Sequence, residues 1–344
     1  MKLEQLLGIE LPIIQAPMAG AQVSPLAIAV SNAGGLGSLP CAMLTVEAMK
    51  KELAALKAGT SKPYNVNFFC HTPPTASDER EAAWRKTLAP YFKEYGIDAA
   101  TIPAGPGRAP FSKEAADALE EFKPRVVSFH FGLPSPELVA RVKSWGSKVL
   151  ASATTVAEAR WLEERGVDAI IAQGVEAGGH LGFFLSDRSM QIGTFALVPQ
   201  IVRAVKVPVI AAGGIADAKG VAAAIALGAS GVQVGTAYLL CPETIISKIH
   251  RAALKSDAAR ETALTNVFTG RPARGIVNRL IKELGPMNSA APAFPLATAA
   301  IAPLRAKAEA QGSGDFSPLW SGQNASGCKE IPAAELTREL AANL

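Results

Sequence analysis

Residues 207–236 read VPVIAAGGIADAKGVAAAIALGASGVQVGT, and this stretch decides the fold. A short apolar run, Val207–Ala211, precedes a glycine pair, an alanine-rich helical pattern at Ala218–Leu227 and a second apolar run at Gly231–Val234. Neither run alternates between apolar and polar residues, which is typical of parallel strands that helices cover on both faces. The stretch therefore predicts one strand–helix–strand unit of a parallel sheet.

The same alternation of strand and helix extends outward from this unit over most of the chain. The predicted strands are Pro12–Gln15, Gly35–Leu39, Tyr64–Phe69, Val126–Phe131, Lys148–Ala153, Ala169–Ala172, Val207–Ala211 and Gly231–Val234. Eight strands that alternate with helices are the count of a (β/α)8 TIM barrel, an α/β fold. The rival is a doubly wound open sheet, which usually carries G-x-G-x-x-G after its first strand. The chain contains no such hexapeptide, so the barrel is favoured.

The strand count also predicts how the 344 residues are organised. The barrel would occupy residues 1–256, with an insertion at about 70–125 that is a candidate wall of the site. Residues 257–344 are rich in proline, and we expect them to form a C-terminal extension that caps the barrel mouth. Within it we predict a helix at Ala302–Gln311 that has Pro303 at its start, where proline is tolerated.

Composition and charge exclude several classes of protein. With 49% hydrophobic and 19% charged residues, the chain is neither disordered nor a coiled coil. A net charge of +4, dispersed along the chain, argues against nucleic-acid binding. No signal-peptide or membrane-spanning pattern is present, so we expect a cytoplasmic protein. Its cysteines form no C-x-x-C pair, which predicts reduced thiols and no metal site; they are Cys41, Cys70, Cys241 and Cys328.

Barrel enzymes place their sites at the carboxyl ends of the strands, so we expect the ligand-binding residues there. The first strand ends in Ala16-Pro17-Met18, whose small residues would let the backbone approach a flat ligand, although an ordinary turn explains them equally well. In the third strand, Asn65 and Asn67 share one face. Because a buried amide needs hydrogen-bond partners, one of the two is expected either to reach a ligand or to be a satisfied structural amide.

Two histidines are candidate catalytic residues. His130 lies between two phenylalanines at the end of the fourth predicted strand, where a packed core residue and a catalyst are about equally plausible. His180 lies on the loop after the sixth strand, behind Gln173 at the strand end and the flexible pair Gly178 and Gly179. An imidazole with a pKa near neutrality suits proton transfer, so His180 is the stronger candidate.

The loops after the last two predicted strands indicate a phosphate site. Gly213 and Gly214 follow the seventh strand, and Gln233, Val234, Gly235 and Thr236 end the eighth. Barrels often bind phosphate with backbone N–H groups at these two places, and a helix start after each loop adds a favourable dipole. A flavin mononucleotide (FMN) fits this arrangement, with its ring above the strand ends. A phosphosugar fits the same phosphate site.

These motifs together resemble those of the nitronate monooxygenase family, formerly called 2-nitropropane dioxygenases. The resemblance lies in Gln15–Met18, Ala172–Gly182 and the glycine motifs of residues 211–236, and it extends from residue 11 to about 280. The segments SFHFG around His130 and GRPARG at 270–275 are similar to those of bacterial class I members. The resemblance implies an FMN-dependent enzyme that oxidises alkyl nitronates with O₂ to a carbonyl product and nitrite, propionate 3-nitronate being the usual class I substrate.

The resemblance also implies roles for individual residues. FMN contacts would be Ala16, Pro17, Met18, Asn67, Gln173, Gly178, Gly214, Gln233, Val234, Gly235 and Thr236. His180 matches the catalytic histidine, and His130 matches a second active-site histidine. An electron-rich nitronate would give one electron to the flavin, and the radical and flavin semiquinone would then engage O₂. His180 would act as a base toward a nitroalkane and would position a nitronate, assisted by His130 or by a Lys or Arg of the extension.

One segment departs from the family pattern and affects the expected substrate. Class I members tend to line the pocket with tyrosines, some of them near a Pro-Leu pair, whereas this chain reads Phe294-Pro295-Leu296 there. The tyrosines of the chain are Tyr64, Tyr91, Tyr95 and Tyr238. The departure predicts a less polar pocket, which favours a more apolar nitronate or nitroalkane. The chain would act on small molecules as a monomer or a homodimer, and the sequence leaves both open.

Other functions remain open at the level of sequence. An FMN-dependent NAD(P)H-using reductase of quinones or enoyl thioesters would share the fold. A flavin-free phosphosugar isomerase or lyase would share the phosphate site, and a non-catalytic flavin-binding barrel would share both. An enzyme similar to IMP dehydrogenase is set aside, because it needs a cysteine after the sixth strand and residues 174–193 contain none.

Overall fold

The computed structural model describes residues 2–103, 108–186 and 190–344, and it confirms the predicted barrel. The barrel strands are β1 Ile13–Gln15, β2 Gly37–Pro40, β3 Tyr64–Phe69, β4 Val126–His130, β5 Lys148–Ala153, β6 Ala169–Gln173, β8 Val209–Ala212 and β9 Gly231–Val234. They form one parallel sheet in the order β1-β9-β8-β6-β5-β4-β3-β2. A parallel bridge between Ile14 and Leu36 joins the two ends of this order and closes the ring.

The α-helices are α1 Leu3–Leu7, α2 Ser24–Asn32, α3 Val46–Gly59, α4 Asp78–Glu94, α5 Lys113–Glu120, α6 Pro136–Ser144, α7 Val156–Glu164, α8 Thr194–Ala204, α9 Ala218–Ala226, α10 Lys248–Lys255, α11 Arg279–Leu284, α12 Thr298–Ala310 and α13 Ala333–Leu340. Several of them begin at a side-chain oxygen that accepts the N–H three residues on, which stabilises the first turn. These capping residues are Thr45, Ser77, Ser112, Thr155, Asp217 and Ser247.

Apolar side chains pack both inside the barrel and between the barrel and its helices. The interior core contains Ile14, Leu36, Val126, Leu150, Ile171 and Ile210, and helix α1 adds Leu3, Leu6 and Leu7 to it. The outward-facing strand residues pack against the helices in a second, larger core, which includes Val66, Val127, Leu53, Leu162 and Leu197. Because both faces of each strand are buried, the strand sequences are apolar throughout and do not alternate.

The insertion and the extension share a third core, on a different part of the molecule. Helix α4 of the insertion packs against helix α12 of the extension, and the joint core includes Trp84, Leu88, Phe92, Ile301, Leu304 and Phe316. The extension is therefore stabilised by packing against the insertion and not by a core of its own. Its last helix, α13, returns to the outside of the barrel and packs against α2 and α9. The proposed boundary between residues 256 and 257 stays a prediction.

A small antiparallel sheet connects the extension to the loop after β6. Strand β7, Gly179–His180, pairs with β11, Ala273–Ile276, and β11 pairs with β10, Thr262–Thr265. In this sheet Ala273 lies opposite His180. The extension therefore holds the backbone that carries the candidate catalytic histidine.

The boundaries of two predicted helices were wrong. Helix α12 begins at Thr298 rather than at residue 302, so Pro303 lies inside the helix and does not start it. Burial of Ala300, Ile301 and Leu304 in the joint core extends the helix toward its N-terminus. The sequence pattern of Pro242–Ser256 also predicts a helix, but the structure confines it to α10, which begins only after its capping residue Ser247.

Two further sequence predictions concern the state of the cysteines and the presence of membrane-spanning helices. All four cysteines are free thiols. Burial raises the pKa of Cys328 to about 12 and that of Cys70 well above its usual value, so neither is an activated nucleophile. Within the described ranges, no helix is long and apolar enough to cross a membrane. Within the insertion the sequence predicts a loop at Thr101–Pro110, and residues 104–107 of it lie outside the described residues.

Candidate active site

A cavity of about 360 Å³ opens at the carboxyl ends of the barrel strands, where the sequence predicts the site. Its volume falls in the range of small-molecule binding sites. The predicted site residues that line it are Ala16, Pro17, Met18, Asn67, His130, Gln173, Gly178, Gly179, His180, Gly213, Gly214, Gln233, Gly235 and Thr236. The fold therefore brings together residues from the first, third, fourth, sixth, seventh and eighth strands of the barrel.

Val234 is the predicted site residue that does not line the cavity. Its side chain is buried in the core between the strands and the outer helices. Its carbonyl accepts a hydrogen bond from the N–H of Ala16 at 2.8 Å. Because side chains alternate along a strand, Gln233 faces the cavity and Val234 faces away from it. The predicted contact of Val234 with FMN therefore stays a prediction.

One end of the cavity is built from backbone N–H groups. Gly213 and Gly214 have φ angles of +111° and +74°, in the left-handed region that glycine occupies without strain. Among the described residues, the N–H groups of Gly213, Gly214 and Thr236 donate to no protein acceptor. Helix α9 begins just after the glycine pair, capped by Asp217. Free N–H groups beside a helix N-terminus are the arrangement that binds phosphate.

The glycine pair is held in place by a carboxylate that the sequence analysis missed. Glu176 accepts hydrogen bonds from the N–H and the hydroxyl of Thr194, each at 2.9 Å. The Thr194 hydroxyl lies 3.0 Å from the carbonyl oxygen of Gly213. These contacts fix the loop after β6 against the loop after β8. Glu176 lies inside the motif Ala172–Gly182, but its position gave no indication of this structural task.

The middle of the cavity presents amide groups with unmet hydrogen bonds. Asn67 donates to the Ser128 hydroxyl at 2.9 Å, and its own Oδ1 accepts no hydrogen bond from the described residues. The Oε1 atom of Gln233 is buried without a partner among the described residues. The Oδ1 atom of Asn65 is also buried without a partner there, but Asn65 does not line the cavity. Asn65 is fully buried and donates to the hydroxyls of Ser38 and Ser128 at 3.0 and 2.9 Å. Asn65 is therefore the structural amide of the pair, and Asn67 is the one that reaches the cavity.

His180 is held in one tautomer by its neighbours. Its Nε2 lies 2.9 Å from the Thr269 hydroxyl, which in turn donates to the Arg271 carbonyl at 3.4 Å. Because this hydroxyl can donate to the Arg271 carbonyl, we assign it as the acceptor of Nε2–H, which leaves the Nδ1 lone pair free. Burial, followed by the positive charge of Arg108, lowers the pKa of His180 well below its usual value. The side chain is therefore a neutral base at pH 7.

His130 and Gln173 both hold the backbone of His180. The His180 carbonyl accepts from Nε2 of His130 and from Nε2 of Gln173, each at 3.1 Å. The other ring nitrogen of His130 accepts from the Ser152 hydroxyl at 3.0 Å, and burial lowers the pKa of His130 to about 4. The Oε1 of Gln173 accepts from the N–H of Gly182 at 2.8 Å. Both side chains line the cavity, but each is already occupied in positioning the loop of His180.

Beyond His180 the wall is aromatic. The ring of Phe294 lies 5.1 Å from that of His180 and 4.9 Å from that of His71, measured between centroids. Phe69 and Phe131 complete this wall, with their centroids 4.9 Å apart. Of these rings, those of Phe69 and His180 line the cavity, and those of Phe294, Phe131 and His71 pack behind them. None of the four tyrosines lines the cavity. Phe294 thus contacts His180 without lining the cavity, and the expected preference for a less polar substrate stays a prediction.

The same wall also carries positive charge, of which the sequence analysis anticipated only a Lys or Arg from the extension. The guanidinium carbon of Arg108 lies 5.6 Å from the Phe294 centroid, and that of Arg271 lies 4.2 Å from the Phe131 centroid. Burial lowers the pKa of each arginine to about 10. Arg271 lies in the quoted segment GRPARG, but Arg108 and His71 belong to no motif. No signal in the sequence alone singles them out.

The extension forms the remaining wall. The ring centroid of Trp320 lies 5.6 Å from that of His180. The N–H of Gly322 donates to the Thr236 hydroxyl at 2.9 Å, and the amide of Asn324 donates to the Gly214 carbonyl at 3.0 Å. These contacts cover the end of the cavity where the free backbone N–H groups lie. The extension thus contributes to the cavity mouth from both ends of the site.

Comparisons with known proteins agree with this geometry. A family model described as nitronate monooxygenase matches residues 1–343. A nitronate monooxygenase of Paraburkholderia phytofirmans is 46% identical over 342 residues, which is 97% of this chain and 92% of that protein. One of Pseudomonas aeruginosa is 43% identical over 350 residues, covering 99% of this chain and 98% of that protein.

Solved structures show the same similarity in three dimensions. The crystal structure of a nitroalkane oxidase from Streptomyces ansochromogenes superposes with a TM-score of 0.91 at 40% identity, covering 99% of this chain and 97% of that one. FabK from Thermotoga maritima superposes with a TM-score of 0.74 at 29% identity, covering 100% and 96%. The first structure is thus the nearer of the two in both fold and sequence.

Proposed function

Because the chain belongs to the nitronate monooxygenase family and is an oxidoreductase, we propose that it oxidises alkyl nitronates with O₂ in an FMN-dependent reaction that yields a carbonyl product and nitrite. The observation that carries the proposal is the neutral His180, whose unpartnered Nδ1 belongs to the same cavity as the free N–H groups of the two glycine loops. A base, an anion site and a ring-sized space are thus combined.

The cavity suits FMN because its unmet hydrogen-bonding groups are those that the cofactor would satisfy. The N–H groups of Gly213, Gly214 and Thr236 would hold the phosphate. Asn67 and Gln233 would hold the polar edge of the ring, and the buried Oε1 of Gln233 needs such a donor. Leaving a buried acceptor unsatisfied costs about 1–3 kcal/mol, which a ring N–H would recover. When bound, FMN supplies the electron-acceptor chemistry that no side chain offers.

His180 has a different task for each of two substrate forms. A neutral nitroalkane must lose a proton from the carbon that bears the nitro group, and the Nδ1 lone pair accepts it. The lowered pKa of His180 keeps this base unprotonated at pH 7 and below. A nitronate has already lost that proton, so His180 then binds and orients the substrate. The apolar rings of Phe69 and Phe294 exclude water from the same space.

The test is O₂ uptake and nitrite release by the purified protein with ethyl nitronate, nitroethane, propionate 3-nitronate and NADH in parallel. We expect yellow protein that consumes O₂ with the nitronates and does not use NADH. Rapid anaerobic bleaching of the flavin by NADH, without nitronate turnover, would instead support the reductase alternative. A colourless protein would favour the flavin-free phosphosugar enzyme. Yellow protein that anaerobic nitronate leaves oxidised would indicate a non-catalytic flavin-binding barrel.

A further inference from the structure

Arg108 is a largely buried cation in the cavity wall that lacks an anionic partner. Its Nε and Nη1 atoms are buried and make no hydrogen bond in the described part of the chain. Its Nη2 contacts only the sulfur of Met43, at 3.9 Å, and a thioether is a weak acceptor. The lowered pKa of about 10 still leaves the guanidinium charged at pH 7. A charge this poorly compensated is costly unless a ligand supplies the partner.

The position of Arg108 relates it to the reacting end of the cavity. The ring of Phe294 contacts both side chains, since it lies 5.6 Å from the Arg108 guanidinium and 5.1 Å from the His180 imidazole. Arg108 and His180 both line the cavity. Met43, whose sulfur is the one described contact of the Arg108 Nη2, also lines the cavity and is 56% exposed. The free donors are therefore within reach of a ligand that occupies the space beside His180.

His71 packs behind the same wall, against Phe294. It is 5% exposed and is not among the residues that line the cavity. Burial is the largest cause of its lowered pKa, a hydrogen bond with the backbone of Arg108 opposes the shift, and the charges of Arg271 and Arg108 add to it. His71 therefore supports the backbone of Arg108 rather than the ligand. Arg271 is less available, because it donates to the Phe183 carbonyl and stacks on Phe131.

We propose that Arg108 is a specificity-determining residue that binds a planar oxyanion group of the substrate beside His180. Carboxylates and nitronates share this chemistry, since each presents two oxygen atoms in one plane with a negative charge. The bound group is then either the nitronate itself or a carboxylate elsewhere on the same molecule. This inference rests on the proposed function for the identity of the substrate. It reverses the expectation, drawn from the missing tyrosines, that an apolar substrate is preferred.

A purely structural role for Arg108 makes a different prediction. If the guanidinium only stacked on Phe294, its removal would weaken neutral and anionic ligands alike. If it binds an oxyanion, its removal weakens the anion selectively. Propionate and propionamide are matched probes, because they have nearly the same shape and differ in charge.

The first experiment measures binding without turnover, by calorimetric titration of the FMN-loaded protein with each probe. We expect wild type to bind propionate about ten- to a hundredfold more tightly than propionamide, the range of a charge-assisted hydrogen bond. Arg108→Met should abolish this preference, and Arg108→Lys should retain part of it because the charge remains. The control is Arg203→Met, which removes the same charge from the exposed surface of α8. Equal affinity of wild type for both probes, or a preference that survives in Arg108→Met, would overturn the proposal.

The second experiment identifies which oxyanion is bound. Arg108→Met is compared with wild type on propionate 3-nitronate and on ethyl nitronate. A tenfold or larger rise in KM for the first substrate alone assigns Arg108 to the carboxylate, and a rise for both assigns it to the nitronate group. No rise for either contradicts the proposal. Failure of the proposed function is a separate result, since wild type would then turn over neither nitronate while the preference for propionate persisted.

Discussion

The two ends of the cavity are built in different ways. The end that we propose for phosphate, called the phosphate end, consists of backbone N–H groups from two loops, Gly213-Gly214 and Gly235-Thr236, that are close in sequence and follow neighbouring strands. The end that we propose for the reaction, called the reacting end, consists of side chains from distant segments. His180 from the loop after β6 and Arg108 from the insertion line the cavity there, and His71 from the insertion and Phe294 from the extension pack behind them. The first end is a property of local chain geometry, and the second exists only after three segments have packed together.

The two ends should therefore contribute different properties, cofactor binding at one and reaction and substrate choice at the other. A site made of N–H groups binds any phosphate and carries little information about the reaction. A site made of a neutral base, two buried cations and an aromatic wall selects both the reaction and the substrate. We therefore expect changes at the phosphate end to affect cofactor retention, and changes at the reacting end to affect turnover and substrate choice.

The sharpest test of this separation is His180→Ala. Removal of the base should lower kcat/KM for nitroethane by about a hundred- to ten-thousandfold, the usual contribution of general base catalysis. The loss with ethyl nitronate should be much smaller, because no proton has to be removed from it. FMN content, read from the visible absorbance of the purified protein, should be unchanged. Equal losses with both substrates would show that His180 does not act as a base.

The converse test is Gly213→Ala at the phosphate end. Alanine is strained at a φ of +111°, and its Cβ would lie 2.9 Å from the Thr194 hydroxyl oxygen and 3.1 Å from the N–H nitrogen of Ala177. We expect FMN affinity to fall about ten- to a hundredfold, as the loop shifts and the charge-assisted hydrogen bonds are lost. The remaining FMN-loaded fraction should keep its kcat.

Gly146→Ala is the matched control for this change. Gly146 has a φ of +83°, but its Cβ would meet no atom within 4 Å. Both variants should lose roughly 1–2 kcal/mol of stability from the left-handed backbone, which thermal unfolding of the cofactor-free proteins would measure. Only Gly213→Ala should release FMN. If the control also loses the cofactor, strain rather than the phosphate site is responsible.

The same contrast explains how much of the site the sequence could predict. The barrel and the phosphate end follow from periodicity and from glycines at strand ends, which are local features. The motif could not show that Gln233 faces the cavity and the Val234 side chain faces away, because a motif names consecutive residues whereas a strand alternates their faces. Arg108, His71 and Thr269 contact the reacting end only through tertiary packing of the insertion and the extension, and no spacing rule relates their positions to that of His180. The joint core that starts α12 at Thr298 is likewise a product of packing.

Thr269 offers a test of how the extension acts on the base. Thr269→Val removes the acceptor for Nε2–H of His180 and so removes the preference for the tautomer with a free Nδ1. We expect kcat for nitroethane to fall roughly tenfold, which corresponds to about 1.4 kcal/mol, with little change for ethyl nitronate. Thr269→Ser should restore most of the activity. If Thr269 had only a structural role, Thr269→Val would lower kcat for both substrates together, and Thr269→Ser would not restore it.

The smallest expected effect is a shift in pH dependence that couples the base to the buried cation. Burial and the charge of Arg108 lower the pKa of His180, so the base form persists below the ordinary value of 6.5. As the pH falls through this lowered pKa, the imidazole gains a proton and can no longer accept one. The acid limb of kcat/KM for nitroethane should therefore lie below pH 6.5.

Arg108→Met removes a positive charge that repels the protonated imidazole, so the pKa of His180 should rise and the acid limb should move to higher pH. A limb that stays in place in this variant would show that Arg108 lies too far from His180 to influence it, and would separate its role in substrate binding from any role in tuning the base.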